Sequence, residues 1–284
     1  MELLLLAAVL PAIALMVYVY KKDKVEKEPL GLIIRMFVLG MVAGPLAGIL
    51  ETVLFAAFES TIEPGVLLLV LEFFVGVAAV EEGFKYLFLS TVRKNPNFNY
   101  VFDGIVYAVA VALGFAALEN ILYVFDGGFE VAVMRAIFSV PGHCADGVVM
   151  GCFFGLARHA ELSGRKSNAT LFYVLAFVLP TIEHGIYDSA LSTESDILAL
   201  FAMAFQLVFI LFAGYLVKKV SKEDKPIGVN AVNSATAEGQ LNAPRPAQPI
   251  PPQQATPTQF QQPTMSDWEQ ANQPTSSYPP HQND

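Results

Sequence analysis

Charge is what this sequence has least of. Only 15% of its 284 residues are Asp, Glu, Lys or Arg, and 54% are hydrophobic. Soluble domains carry about 25% charged residues, so the deficit excludes a water-soluble globular fold and leaves a polytopic membrane protein. Cysteine is scarce as well. Cys144 and Cys152 are the two present, and on a helix they stand roughly 12 Å apart, too far for a disulfide. No CxxC pair exists, so buried reduced thiols are expected. No basic stretch with interleaved aromatics is found, which excludes nucleic acid as a partner, and no repeat of solenoid type is present. The net charge of −9 says little about partners, because acids and bases are segregated by loop.

What is there is apolar sequence in seven segments, each long enough for a span of about 20 residues. They run over Leu3–Tyr20, Leu32–Phe55, Val66–Leu89, Phe102–Phe125, Val131–Leu156, Leu171–Leu191 and Ile197–Val217. The predicted fold is therefore all-α, a bundle of about seven transmembrane helices. Glu2 and the lysines after Tyr20 fit a retained anchor better than a cleaved signal peptide. Lys and Arg fall in alternate loops: Lys21 to Lys27, Arg93 and Lys94, Arg158 to Lys166, then Lys218 and Lys219. The other loops hold only acids, among them Glu59, Glu63, Asp126, Glu130, Glu194 and Asp196. By the positive-inside rule the N-terminus is expected outside and the C-terminus in the cytoplasm of a multi-pass cell-membrane protein. After about Lys225 the composition turns to Pro, Gln, Asn, Ser and Thr, which cannot bury enough surface to fold. Two domains are expected: a transmembrane domain over 1–221 and a disordered tail over 222–284. Truncation after Lys225 is expected to leave folding intact. Trp268 and Tyr278-Pro279-Pro280 are docking-motif candidates within that tail.

Four polar clusters interrupt the apolar segments, and side chains of this kind cost several kcal/mol each at membrane depth unless paired, metal-bound or wetted. In Glu81-Glu82-x-x-Lys85 the two carboxylates diverge by about 100° on a helix. Lys85 can neutralise either, leaving the other Glu to work on water. Glu119 with Asn120 beside it is a metal-ligand candidate or a proton carrier. His143 follows Pro141-Gly142 near the middle of its segment, with Asp146 three residues on; a histidine satisfied by a backbone carbonyl is the plainer reading. In His184-x-x-x-Asp188 both side chains share one helix face, so Asp188 either co-ligates a metal or orients the imidazole. Glu183 faces elsewhere. Glu51, Glu72 and Gln206 stand without such company and read as packing or cavity-wall groups. Counted along their helices, the four clusters fall within a turn or two of one depth, and their residue types are those of a zinc-activated water.

EExxK, FxxxEN (Phe115 to Asn120) and HxxxD in this order, with a further His between the last two, resemble the PrsW family of intramembrane proteases. That family is related to the CAAX-prenyl-protease and bacteriocin-processing superfamily. The resemblance covers roughly Val66 to Leu191, and the relatives with an FxxxH motif have a histidine where this chain has Glu119, as PrsW members do. It implies cleavage of a membrane-anchored protein such as a single-pass anti-sigma factor. On this reading His184, His143 and Glu119 hold a divalent metal, taken as Zn2+, with Asp188 as a fourth ligand or an orienting partner. Glu81 or Glu82 acts as base, with a slight preference for Glu82, and Lys85 fixes its neighbour. Asn120 donates to the oxyanion or braces Glu119. The alternative from another class is a proton- or cation-coupled transporter using the same acids and histidines.

Overall fold

The computed structural model describes residues 2–228, and these form helices without a single β-strand. Helix α1 (Glu2–Lys22) is followed by α2 (Leu30–Thr61) and by α3 (Val66–Val70), which passes through a π-helical stretch (Leu71–Ala78) into α4 (Ala79–Leu89). Then come α5 (Val101–Ile137), α6 (Ser139–Leu162), α7 (Lys166–Leu191) and α8 (Asp196–Lys222). Among the described residues five segments are long and apolar enough to cross a membrane: Leu4–Lys22, Leu30–Thr61, Val101–Leu162, Lys166–Leu191 and Asp196–Lys222. The third of these contains both α5 and α6. Residues 66–89 fall outside this group because the π stretch divides them into helical pieces of 5, 8 and 11 residues.

Burial tells which helices form the centre. In Val101–Leu162 94% of the most apolar window is buried, against 28% in α2 and 17% in α8. The outer helices instead turn Ile34, Ile49, Val53, Leu200, Val208 and Leu211 outward, as expected of surfaces facing lipid. Helices α5 and α6 approach closely through small residues. A Cβ at Gly104 would strike the Gly151 carbonyl, and one at Gly155 would strike Val101. Gly147, Gly151 and Gly155 thus form a small-residue seam at a spacing of four, which lets two backbones pack where the hydrophobic effect offers nothing between helices.

Two sequence expectations shift here. The sequence predicts segment five over Val131–Leu156 with His143 near its middle. The helical backbone breaks at Gly128 (φ 74°, ψ −157°), between the fourth and fifth expected segments, but α5 resumes only to Ile137 and α6 begins at Ser139. Pro141 therefore sits in the first turn of α6, where its missing N–H costs nothing, and His143 lies in the second turn of a new helix. The ordered chain also extends past residue 221. Val101 N–H donates to Lys225 O (3.0 Å) and Ile227 N–H to Asn99 O (2.7 Å). Phe102 N–H donates to Asp224 Oδ1 at 2.9 Å, and Ile227 is 2% exposed. The rest of the Pro/Gln-rich tail, with Trp268 and Tyr278, lies outside the described residues.

Candidate active site

The π stretch delivers the first cluster. A helix wound to i+5 is tolerated mainly where function requires it, and this one ends just before Glu81. Its Phe74 ring packs against Gly185, where a Cβ would come within 2.6 Å. That close approach brings His184 of α7 up to α4.

Four helices then place charged side chains in one buried pocket. Glu81 is 6% exposed, Glu82 0%, Lys85 1%, His143 6% and His184 6%. Lys85 Nζ donates to Glu82 Oε1 at 2.7 Å and to Glu81 Oε2 at 3.2 Å, and it lies 3.2 Å from His143 Nδ1. Its ammonium also sits 4.2 Å from the centre of the Phe115 ring. His184 Nδ1 is 3.1 Å from Glu82 Oε1, and its Nε2 is 3.1 Å from Asp188 Oδ2. His143 Nε2 is 2.9 Å from Glu119 Oε2. The two imidazole centroids stand 5.4 Å apart. One ligand atom from each of Glu81, Glu82, His143 and His184 lies within 4.8 Å of the others. The expected divergence of Glu81 and Glu82 is thus overridden: Cβ directions differ, but Lys85 and His184 draw the longer side-chain ends together.

These groups open on a cavity of about 590 Å³ whose wall includes Glu81, Glu119, His143, His184 and Asp188 but not Glu82. The geometry therefore reverses the slight preference for Glu82 as the group facing water. Glu82 makes the shorter contact to Lys85 and is sealed off, whereas Glu81 faces the cavity. Asn120 does not join them. Its Nδ2 donates to Ala8 O at 2.7 Å, and its Oδ1 accepts from Arg135 Nε at 2.8 Å, so it ties α5 to α1 and holds Arg135.

Arg135 is the residue that sequence reasoning missed. Its guanidinium pairs with Glu119 Oε2 at 2.7 Å and lies 4.3 Å from the Tyr123 ring centre. A lone Arg inside an apolar segment was the available signal. Glu51 and Gln206 line the cavity too, as do Asp146 and Glu183, so Glu51 and Gln206 are not isolated from the clusters. Glu72 is not on this wall.

The donor set suits a metal of the zinc class: two imidazoles and several carboxylates meet at hydrogen-bonding range of one another. Glu82 Oε2, fully buried, has no hydrogen-bond partner among the described residues, so the cluster keeps an unused acceptor behind the cavity wall.

The sequence matches the "PrsW family intramembrane metalloprotease" profile over residues 28–215. It is 36% identical to "Protease PrsW" of Oceanobacillus iheyensis over 220 residues, covering 77% of this chain and 96% of the relative. The corresponding protein of Geobacillus kaustophilus is 37% identical over 65% of this chain and 78% of its own length. That of Bacillus subtilis is 32% identical over 80% and 97%. Nothing in these relatives supports the transporter alternative. No solved structure matches the chain.

Proposed function

Because the chain belongs to the PrsW family of intramembrane metalloproteases and is a membrane-embedded peptide hydrolase, we propose that its buried Glu–Lys–His cluster is the hydrolytic centre. The observation that carries this is the convergence of Glu81, Glu82, His143 and His184 within 4.8 Å at the wall of a large cavity. His143, His184 and Glu119 would hold a divalent metal, Zn2+ by donor type, which when bound supplies Lewis-acid activation of water and of the scissile carbonyl. Glu119 is assigned a ligand because it touches His143 and faces the cavity.

The protein groups divide the remaining work. Glu81 takes the proton of the attacking water on its carboxylate and returns it to the departing amine nitrogen, as a general base must. Lys85 pairs with Glu82 at 2.7 Å, and Glu82 in turn holds the His184 ring through Nδ1 at 3.1 Å. That leaves His184 Nε2 for the metal, and Asp188, 3.1 Å from that nitrogen, would stand beside it as a fourth ligand. Arg135 balances Glu119 and fixes its rotamer, with Asn120 behind it.

The substrate is read as a membrane-anchored protein, of the anti-sigma-factor type by family likeness, entering the cavity as an extended strand. The helix order supports seven crossings, counting residues 66–89 as one, and the loop charges support an outside N-terminus. Purified Glu81→Gln and Glu82→Gln proteins, assayed for bound zinc and for cleavage of a single-pass substrate, test the assignment. Glu81→Gln should keep the metal and lose cleavage by about 10²-fold or more. Full cleavage by Glu81→Gln would remove Glu81 as base.

A further inference from the structure

A second cluster lies far from the first. Asp23 and Glu28 come from the connection between α1 and α2, and Asp103 from the first turn of α5. Asp103 is 16 residues before Glu119, roughly 24 Å along the helix. The three carboxylates are nearly sealed, at 2%, 2% and 1% exposure, and one oxygen of each lies within 4.8 Å of the others.

Two of the three are partly satisfied. Asp103 Oδ2 accepts from Asn99 N–H (2.8 Å) and Tyr100 N–H (2.6 Å), and Glu28 accepts from the Tyr107 hydroxyl. Asp23 is different: among the described residues neither of its carboxylate oxygens has a hydrogen-bond partner. The one cation nearby, Lys27, spends its ammonium on the backbone carbonyls of Tyr20 and Asp23 and over the Tyr20 ring. No ion pair within 4.0 Å reaches any of the three among the described residues.

Three converging buried carboxylates, one with neither oxygen in a close hydrogen bond, are too costly to leave ionised without a counter-charge. Hard oxygen donors with no nitrogen or sulfur among them select Mg2+, Ca2+ or Mn2+ over zinc. We propose that Asp23, Glu28 and Asp103 form an all-oxygen site for a hard divalent cation, distinct from the hydrolytic centre, which clasps the α1–α2 connection onto α5. The competing way to quiet the cluster is protonation, since burial and then the charge of Asp103 push Glu28 up to about 10. The two states respond oppositely to added cation.

The test uses full-length His184→Ala protein in detergent, so that the hydrolytic centre contributes little, titrated with Mn2+ by electron paramagnetic resonance and with Mg2+ and Ca2+ by thermal unfolding. Asp23→Asn and Glu28→Gln are compared in the same background. Asp23→Asn breaks no side-chain hydrogen bond, and Glu28→Gln keeps an acceptor for Tyr107. The site predicts one bound Mn2+ per chain, a midpoint that rises with Mg2+ or Ca2+, and on the order of tenfold or weaker Mn2+ binding in both variants. Absence of Mn2+ binding in the parent, or a cation response equal in parent and both variants, would overturn it. The first outcome would mark a protonated cluster, the second a site elsewhere.

Discussion

Removing Pro226 and Ile227 should destabilise the helical bundle far more than removing everything after Gly228. Ile227 is 2% exposed, and withdrawing it from the core loses about 1.5–3 kcal/mol. Two hydrogen bonds go with it: Ile227 N–H to Asn99 O at 2.7 Å, and His159 Nδ1 to Pro226 O at 3.1 Å. Each contributes about 1 kcal/mol, so a chain ending at Lys225 should lose about 4 kcal/mol. For a bundle of this size that corresponds to a drop of roughly 8–16 °C in unfolding midpoint. Cys144 and Cys152 are buried free thiols and report unfolding through a thiol-reactive fluorogenic dye. The sole tryptophan, Trp268, lies in the part removed and cannot serve. A chain ending at Gly228 should unfold within about a degree of the full-length protein. Equal midpoints for the two truncations would refute the claim that Asp224–Ile227 is part of the folded bundle.

Reporter fusions at Glu63, Asp126 and Ser195 should read outside, and fusions at Lys94, Lys166 and Gly228 inside; reversal at any two would overturn seven crossings with this orientation. Arg135→Ala should lower cleavage about 10–100-fold while leaving the fold intact, because Glu119 loses the partner that fixes it. Arg135→Lys should recover little, since an ammonium cannot reproduce contacts to both Glu119 and Asn120. Cleavage unchanged in Arg135→Ala would show that Glu119 is held well enough by His143 alone.

The helices were legible because apolar runs of this length have few other uses. The convergence of Glu81, Glu82, Glu119, His143, His184 and Asp188 was legible because buried charge must find company. Rotation and side-chain reach were not. Adjacent glutamates on a helix point apart at Cβ, yet a lysine one turn on and a histidine from another helix pull their carboxylates together. Asn120 adjoins Glu119 in sequence but faces α1, and nothing in the spacing distinguishes the two faces. The break at Gly128 was legible from the acidic stretch Asp126–Glu130, whereas the second break at Phe138 lies within the continuous hydropathy of Val131–Leu156. Ile227 was hidden by the polar sequence that follows it.

Metal content measured beside cleavage on the same preparations tests most directly whether the buried cluster is a metal-dependent hydrolytic centre. Wild-type protein purified in detergent should carry close to one zinc at the cluster and cut a single-pass substrate. His184→Ala should lose both together, because an imidazole ligand is gone. A His184→Ala protein that retains the wild-type metal content, or that cuts at the wild-type rate, would contradict the assignment.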